Sequence, residues 1–193
     1  MPRARVVGKF IYLRPLERED INDEYLNWMN DPVTIPYILG ARFPVSLGDL
    51  EQYYDETRKS RDSVMFAVCD KETGVHIGNA RLSHIDWINR TAVYGRLIGR
   101  AEHRRHGYGT DTLIQLLRYG FHQLGMNRLW APVLALNEAS LRSNDKVGMK
   151  REGVLREYAF VNGKFWDAVV FSMLRPEFDE MYGGPEKWDD ASK

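Results

Sequence analysis

Tyr94-Gly95-Arg96-Leu97-Ile98-Gly99-Arg100-Ala101-Glu102-His103-Arg104-Arg105-His106-Gly107-Tyr108-Gly109-Thr110-Asp111-Thr112-Leu113 reads as a strand, a basic glycine turn and the start of a helix. Gly107 and Gly109 allow a tight turn and expose successive backbone N–H groups. From Thr112 to Leu124 the chain carries Leu113, Ile114, Leu116, Leu117 and Phe121 at helical spacing. The unpaired N–H groups and positive dipole end of such a helix attract an anion, and Arg104 and Arg105 add fixed positive charge. The ligand expected on this loop therefore carries phosphates.

Two common phosphate loops are excluded. A dinucleotide fingerprint needs a third glycine where this chain has Thr112, and a Walker loop needs Gly-Lys-Ser/Thr, which is absent. The remaining pattern, Arg104-x-x-Gly107-x-Gly109, resembles the loop of the GNAT acyltransferase superfamily, where Arg/Gln-x-x-Gly-x-Gly/Ala wraps the pyrophosphate of acetyl-coenzyme A (acetyl-CoA). Downstream, Asn137-x-x-Ser140, Lys146-x-Gly148-Met149 and Glu152-Gly153-x-Leu155-Arg156 look like the second half of the same family. Gly163-x-x-x-Asp167 and its closing apolar strand make the chain similar to the branch typified by the RimJ and RimL protein N-acetyltransferases. The likeness covers roughly residues 10 to 176.

The resemblance implies an enzyme that moves an acetyl group from acetyl-CoA, as cosubstrate, to an amine. It implies a strand that splays from its neighbour, so that the backbone N–H groups around Leu97 and Ile98 bind pantetheine and polarise the thioester. It assigns the cofactor to Arg104, Arg105, His106, Gly107, Tyr108, Gly109 and Thr110, with Asn137 and Ser140 on the pantetheine side and Lys146 at the far end of that helix. Asn137 also suits a helix cap, and the two roles are compatible.

Acetyl transfer also needs the amine deprotonated and the thiolate protonated. Where many relatives carry a tyrosine as general acid this chain has Asn144, which cannot usefully donate a proton; where relatives place glutamate it has Val93 and Pro132. Glu102 and Asp86 remain the candidate bases. Trp28, Tyr37, Phe43 and Trp87, with Asn30 and Asp31, are residue types that stack a ring and hold a cation. Trp28 to Pro32, Tyr37 and Arg42-Phe43-Pro44 resemble branch members acting on amino sugars attached to nucleotides. Three functions stay open: acetylation of a small amine, with an amino sugar or its nucleotide expected ahead of a polyamine or aminoglycoside, acetylation of a protein N-terminus, and CoA binding without turnover.

Composition bounds the rest. The 193 residues include 27 Lys plus Arg against 27 Asp plus Glu, so no global field favours nucleic acid. Lone Cys69, in an apolar run, excludes an internal disulfide. No run is long enough for a bilayer and no signal peptide is evident, so a cytoplasmic monomer or homodimer is expected, without membrane or nucleic-acid partners. His103 and His106 flank two arginines with no carboxylate pair nearby, which argues against a metal site. Glu19-Asp20 are expected to open a first helix, Ser46 with Asp49 to cap a second, Thr91 to Ile98 to form a strand and Asn162-Gly163 to turn the last hairpin. The order β, α, α, three β, α, β, α, two β predicts an α+β fold with a mixed sheet packed by helices, as in the GNAT fold. One domain over 1–193 is expected, with a core of about 10–176 and a peripheral tail after Pro176.

Overall fold

The structure, a computed structural model, describes residues 4–38 and 43–187; Arg42 of the sequence reading lies outside the described residues. Eight strands form one mixed sheet: β1 (Val6–Val7), β2 (Ile11–Pro15), β3 (Val64–Asp70), β4 (His76–Asp86), β5 (Thr91–Ile98), β6 (Arg128–Leu134), β7 (Lys150–Val161) and β8 (Lys164–Leu174). Their spatial order is β1-β2-β3-β4-β5-β6-β8-β7, and every neighbouring pair is antiparallel except β5 with β6. Among the described residues five α-helices accompany them: α1 (Asp23–Asn30), α2 (Leu47–Lys59), α3 (Tyr108–Arg118), α4 (Glu138–Val147) and α5 (Arg175–Tyr182). This is the mixed α+β GNAT fold expected from the sequence.

One face of the sheet holds Leu13, Val68, Ala80 and Leu82 against Leu113, Leu116 and Leu117 of α3. The opposite face packs Tyr12, Ala67 and Cys69 against Tyr25 and Trp28 of α1 and Leu50 and Tyr54 of α2. Asp111, in the first turn of α3, accepts hydrogen bonds from the N–H groups of Phe10 (2.7 Å) and Ile11 (3.2 Å), tying the helix start to β2.

Several boundaries depart from the sequence reading for local reasons. Helix α3 begins at Tyr108, so Gly109 lies inside it, and a π-turn over Tyr119–Gln123 extends it. Glu19 and Asp20 do not open α1. Asp20 is buried under Arg14 at 2.6 Å and 2.7 Å, and Asn22 caps the helix through Tyr25 N–H instead. The tail after Pro176 is not peripheral through Tyr182: α5 begins at Arg175, with Pro176 in its first turn, and its Phe178 is fully buried against Phe121 and Tyr182. On the edge strand β7, the register shifts between Leu155 and Ala159, and Glu157 sits at φ 51° with its N–H on Asp167 Oδ1 at 2.8 Å.

The pairing of β5 with β6 covers only Thr91–Arg128, Ala92–Leu129 and Val93–Trp130. From Tyr94 onward the two strands are unpaired with each other, leaving a gap. On its other side β5 stays paired with β4, where the Leu97 carbonyl leans over Gly78 so closely that a Cβ there would lie 2.0 Å from the oxygen. Gly78→Ala must force β4 and β5 apart at this point. We expect a loss of roughly 1–3 kcal/mol, seen as a lower melting temperature, because backbone cannot yield as a flexible side chain does.

Candidate active site

The gap between β5 and β6 has one face of backbone and a mouth of helix starts. Because a trans peptide holds C=O and N–H on opposite sides, a Leu97 carbonyl turned on to β4 sends the Ile98 N–H the other way, toward the gap. The next peptide reverses this: Gly99 N–H returns to Ile77 O at 2.9 Å, while Ile98 O accepts from Arg104 Nε at 3.0 Å. Leu97 itself pairs with Asn79 and packs its side chain toward α1 and α2.

At the mouth, Gly107 caps α3 at φ 90° and, among the described residues, no side chain bonds the first-turn N–H groups, which leaves Tyr108, Gly109 and Thr110 N–H available to an anion. A Cβ at Gly109 would meet Ile98 Cγ1 at 3.8 Å and Arg96 Nε at 3.9 Å, which places this turn directly over the open half of β5. Thr110 Oγ1 and Ser143 Oγ, 3.0 Å apart, join α3 to α4. These groups fit a phosphate-bearing acyl donor whose arm extends into the gap.

Arg104 departs from its expected part. Its donors reach Ile98 O (3.0 Å), Gly99 O (2.6 Å) and Thr34 Oγ1 (3.1 Å), with Asp31 3.7 Å away. Arg104 therefore braces the loop, and its hydrogen-bonding fork is already engaged. Arg105 and His106 are exposed at the turn, with Arg105 at φ 68°. Tyr108 turns its ring away from the gap, donating to Asp70 Oδ2 at 2.8 Å.

On α4, Asn137 Oδ1 accepts from Ser140 N–H at 3.0 Å, so it is the helix cap. Lys146 is exposed in the last turn. Asn144 is fully buried: its Nδ2 donates to Ser140 O at 2.8 Å, and its Oδ1 accepts from Tyr94 OH at 2.7 Å. That geometry fixes the phenolic hydrogen on Asn144, and burial pushes the Tyr94 pKa up.

The candidate bases are placed differently. Asp86 and Trp87 lie at the β4–β5 turn, the closed end of β5, about 23 Å of extended chain from Ile98. Asp86 serves that turn, accepting from Asn89 N (2.8 Å), Asn89 Nδ2 (2.7 Å) and Ile88 N (2.9 Å), and those bonds hold its carboxyl below the usual range. Trp87 donates to Arg61 O at 2.8 Å. The structure therefore does not bring these two to the loop. Glu102 is exposed beside it, and its own backbone N–H, then His103 and Arg100, lower its pKa.

Of the expected acceptor residues, Trp28 is buried and packs on Gly99, where a Cβ would lie 2.0 Å from its ring. Its faces are therefore not free to stack a ligand. Asn30 bonds Leu26 O and both backbone groups of Val45, and Asp31 accepts from Val33 N–H and Thr34 Oγ1, so both hold the connection after α1. Tyr37 is exposed on that connection at the end of a short 3-10 turn. Sequence reasoning missed Arg96 and Tyr94. Both alternate with Ile98 on the α3 face of β5, but the strand pattern could not tell that face from the other. Among the described residues no three of His, Cys, Asp and Glu group as a metal site, and no helix is long and apolar enough to cross a membrane.

The acetyltransferase (GNAT) domain family matches residues 11–150. The uncharacterized N-acetyltransferase p20 of Bacillus licheniformis is 30% identical over 86% of this chain and 93% of its own length. The spermidine N(1)-acetyltransferase of Vibrio cholerae is 25% identical over 86% of this chain and 94% of its own length. The crystal structure of spermidine N-acetyltransferase from Vibrio cholerae in complex with CoA and spermine superposes with a TM-score of 0.80 at 26% identity, covering 87% of this chain and 97% of that one. The family match, the splayed strands and the uncapped start of α3 agree, and the chain belongs to the GNAT acetyltransferase family.

Proposed function

We propose that this acetyltransferase uses acetyl-CoA to acetylate the primary amine of a small molecule. The observation that carries the donor half is the conjunction of the uncapped α3 start with the unpaired run of β5. The donor's phosphates bind the first-turn N–H groups of α3, its pantetheine runs along the gap past Asn137 and Ser140, and the Ile98 N–H serves the arm or the thioester oxygen. Leu97 holds that peptide against β4.

For the acceptor, a small amine is favoured over a protein N-terminus, the activity suggested by the RimJ and RimL likeness. Relatives named for spermidine support an aliphatic polyamine. The amino-sugar reading loses ground because Trp28 is packed on Gly99 and Trp87 sits at the closed end of β5. A panel of spermidine, an amino sugar, its nucleotide and N-terminal peptides, followed by thiol release, tests this. Acetylation of peptides alone removes the small-molecule assignment, and CoA binding without turnover removes the enzyme.

The protonation steps follow from the state of the candidate acids and bases. Asn144 has both amide ends engaged, Tyr94 gives its hydrogen to Asn144, and Asp86 and Glu102 have lowered pKa values. No group here is tuned upward as a base, so the amine must arrive neutral. An amine of pKa near ~10 is mostly protonated at neutrality, and kcat/KM should rise with pH until the amine itself titrates. Glu102→Gln and Asp86→Asn should keep that profile; a variant that flattens it identifies a base. Oxyanion donors are commonly worth about 100- to 1000-fold in rate, so backbone polarisation is sufficient to carry much of the catalysis.

Asn144 separates structure from chemistry. Asn144→Ala strands a buried phenol and should cost about 1–3 kcal/mol in thermal or urea unfolding, with a smaller effect on kcat. A large kcat loss without destabilisation would instead place Asn144 in the chemistry.

A further inference from the structure

Arg96 makes no hydrogen bond or ion pair among the described residues, although it is only partly exposed on a strand at the centre of the sheet. Burial lowers its pKa, and the one electrostatic neighbour it shares is the neutral phenol of Tyr94. An enclosed guanidinium without a counter-charge is unusual, because desolvation is repaid only by a partner. Every other arginine around the mouth differs. Arg104 is engaged in the loop, Arg100 pairs with Glu24 at 2.6 Å, and Arg105 is exposed to solvent.

The direction of the side chain indicates where its partner belongs. The Arg96 Cα lies two residues deeper along β5 than Ile98, roughly 6.5 Å. Yet its Nε comes as near to Gly109 (3.9 Å from an added Cβ) as Ile98 Cγ1 does (3.8 Å). The side chain therefore runs outward along the gap, away from the closed end, and delivers its charge to the first turn of α3. The same turn presents the N–H groups of Tyr108, Gly109 and Thr110 without a capping side chain.

We infer that Arg96 is a binding residue for the diphosphate of the acyl donor, gripping it from the strand side while the α3 N–H groups hold it from the helix side. This rests on the donor site described above and adds to it a charged contact from the strand side of the gap. Arg104, which the motif would nominate, is a brace; Arg96, outside the motif, is a partly enclosed cation without a partner among the described residues. The cost of the unpaired cation in the ligand-free protein is offset when the diphosphate binds.

Calorimetric titration of CoA and of pantetheine, which has the same arm without the diphosphate, into wild type, Arg96→Gln and Arg96→Lys tests the assignment. Arg96→Gln should weaken CoA roughly 10- to 100-fold and leave pantetheine unchanged, with Arg96→Lys recovering most of the loss. Without ligand, Arg96→Met should melt at the wild-type temperature or about 2–4 °C above it, since an unpaired charge has been removed. Unchanged CoA affinity in Arg96→Gln, an equal loss for both ligands, or a lower ligand-free melting temperature in Arg96→Met overturns the inference. Failure of wild type to bind CoA would remove the donor site itself, a result distinguishable from failure of Arg96 alone.

Discussion

The site depends on the early end of the parallel pairing between β5 and β6, after Val93 and Trp130. A buried sheet normally satisfies its backbone groups strand by strand, and a strand that leaves its neighbour must direct those groups elsewhere. Here the closed end of the pair is held by ordinary ladder bonds and by the core residues Ala92 and Leu129, while the open end passes into the glycine loop. The gap that results is bordered by β5 and lies beneath the starts of both α3 and α4. Opening the strands and gathering helix N-termini at one place are the same structural event, because each helix is the next α-helix after the open end of its strand.

Keeping that opening in one geometry takes several braces. Asp111 clamps the start of α3 to Phe10 and Ile11, Arg104 joins Ile98 and Gly99 to the connection after α1, and Trp28 lies flat on Gly99. Two of the three, Arg104 and Trp28, are side chains that the sequence reading assigns to a ligand. The consequence is a division of labour in which conspicuous side chains shape the loop and plain backbone, helped by one unpartnered arginine, faces the gap.

The sequence made the framework legible where pattern and chemistry agreed. β5 was read at its observed bounds, the Ser46–Asp49 capping box opens α2 as expected, and Asn162-Gly163 turns the last hairpin. It was less legible where a distant partner decided the outcome. Asp20 looked like a helix start but is claimed by Arg14; residues after Pro176 looked peripheral, but Phe178 finds a slot beside Phe121. At the site, the glycine loop and the Asn137 turn were readable as motifs. The engagement of Arg104, the pairing of Tyr94 with Asn144 and the isolation of Arg96 were not, since each depends on residues brought together only by the sheet.

The irregularity of β7 has a bearing on how the molecule behaves in a crowded solution. This strand is the outer edge of the sheet, and it carries exposed Val154, Tyr158 and Phe160, a composition that in a flat strand would recruit another chain by backbone pairing. The register shift between Leu155 and Ala159, with Glu157 turned to positive φ and its N–H captured by Asp167, breaks that edge into two short pieces. Neither piece offers a long straight template, so the same kink that interrupts the ladder guards the protein against fibrillar self-association.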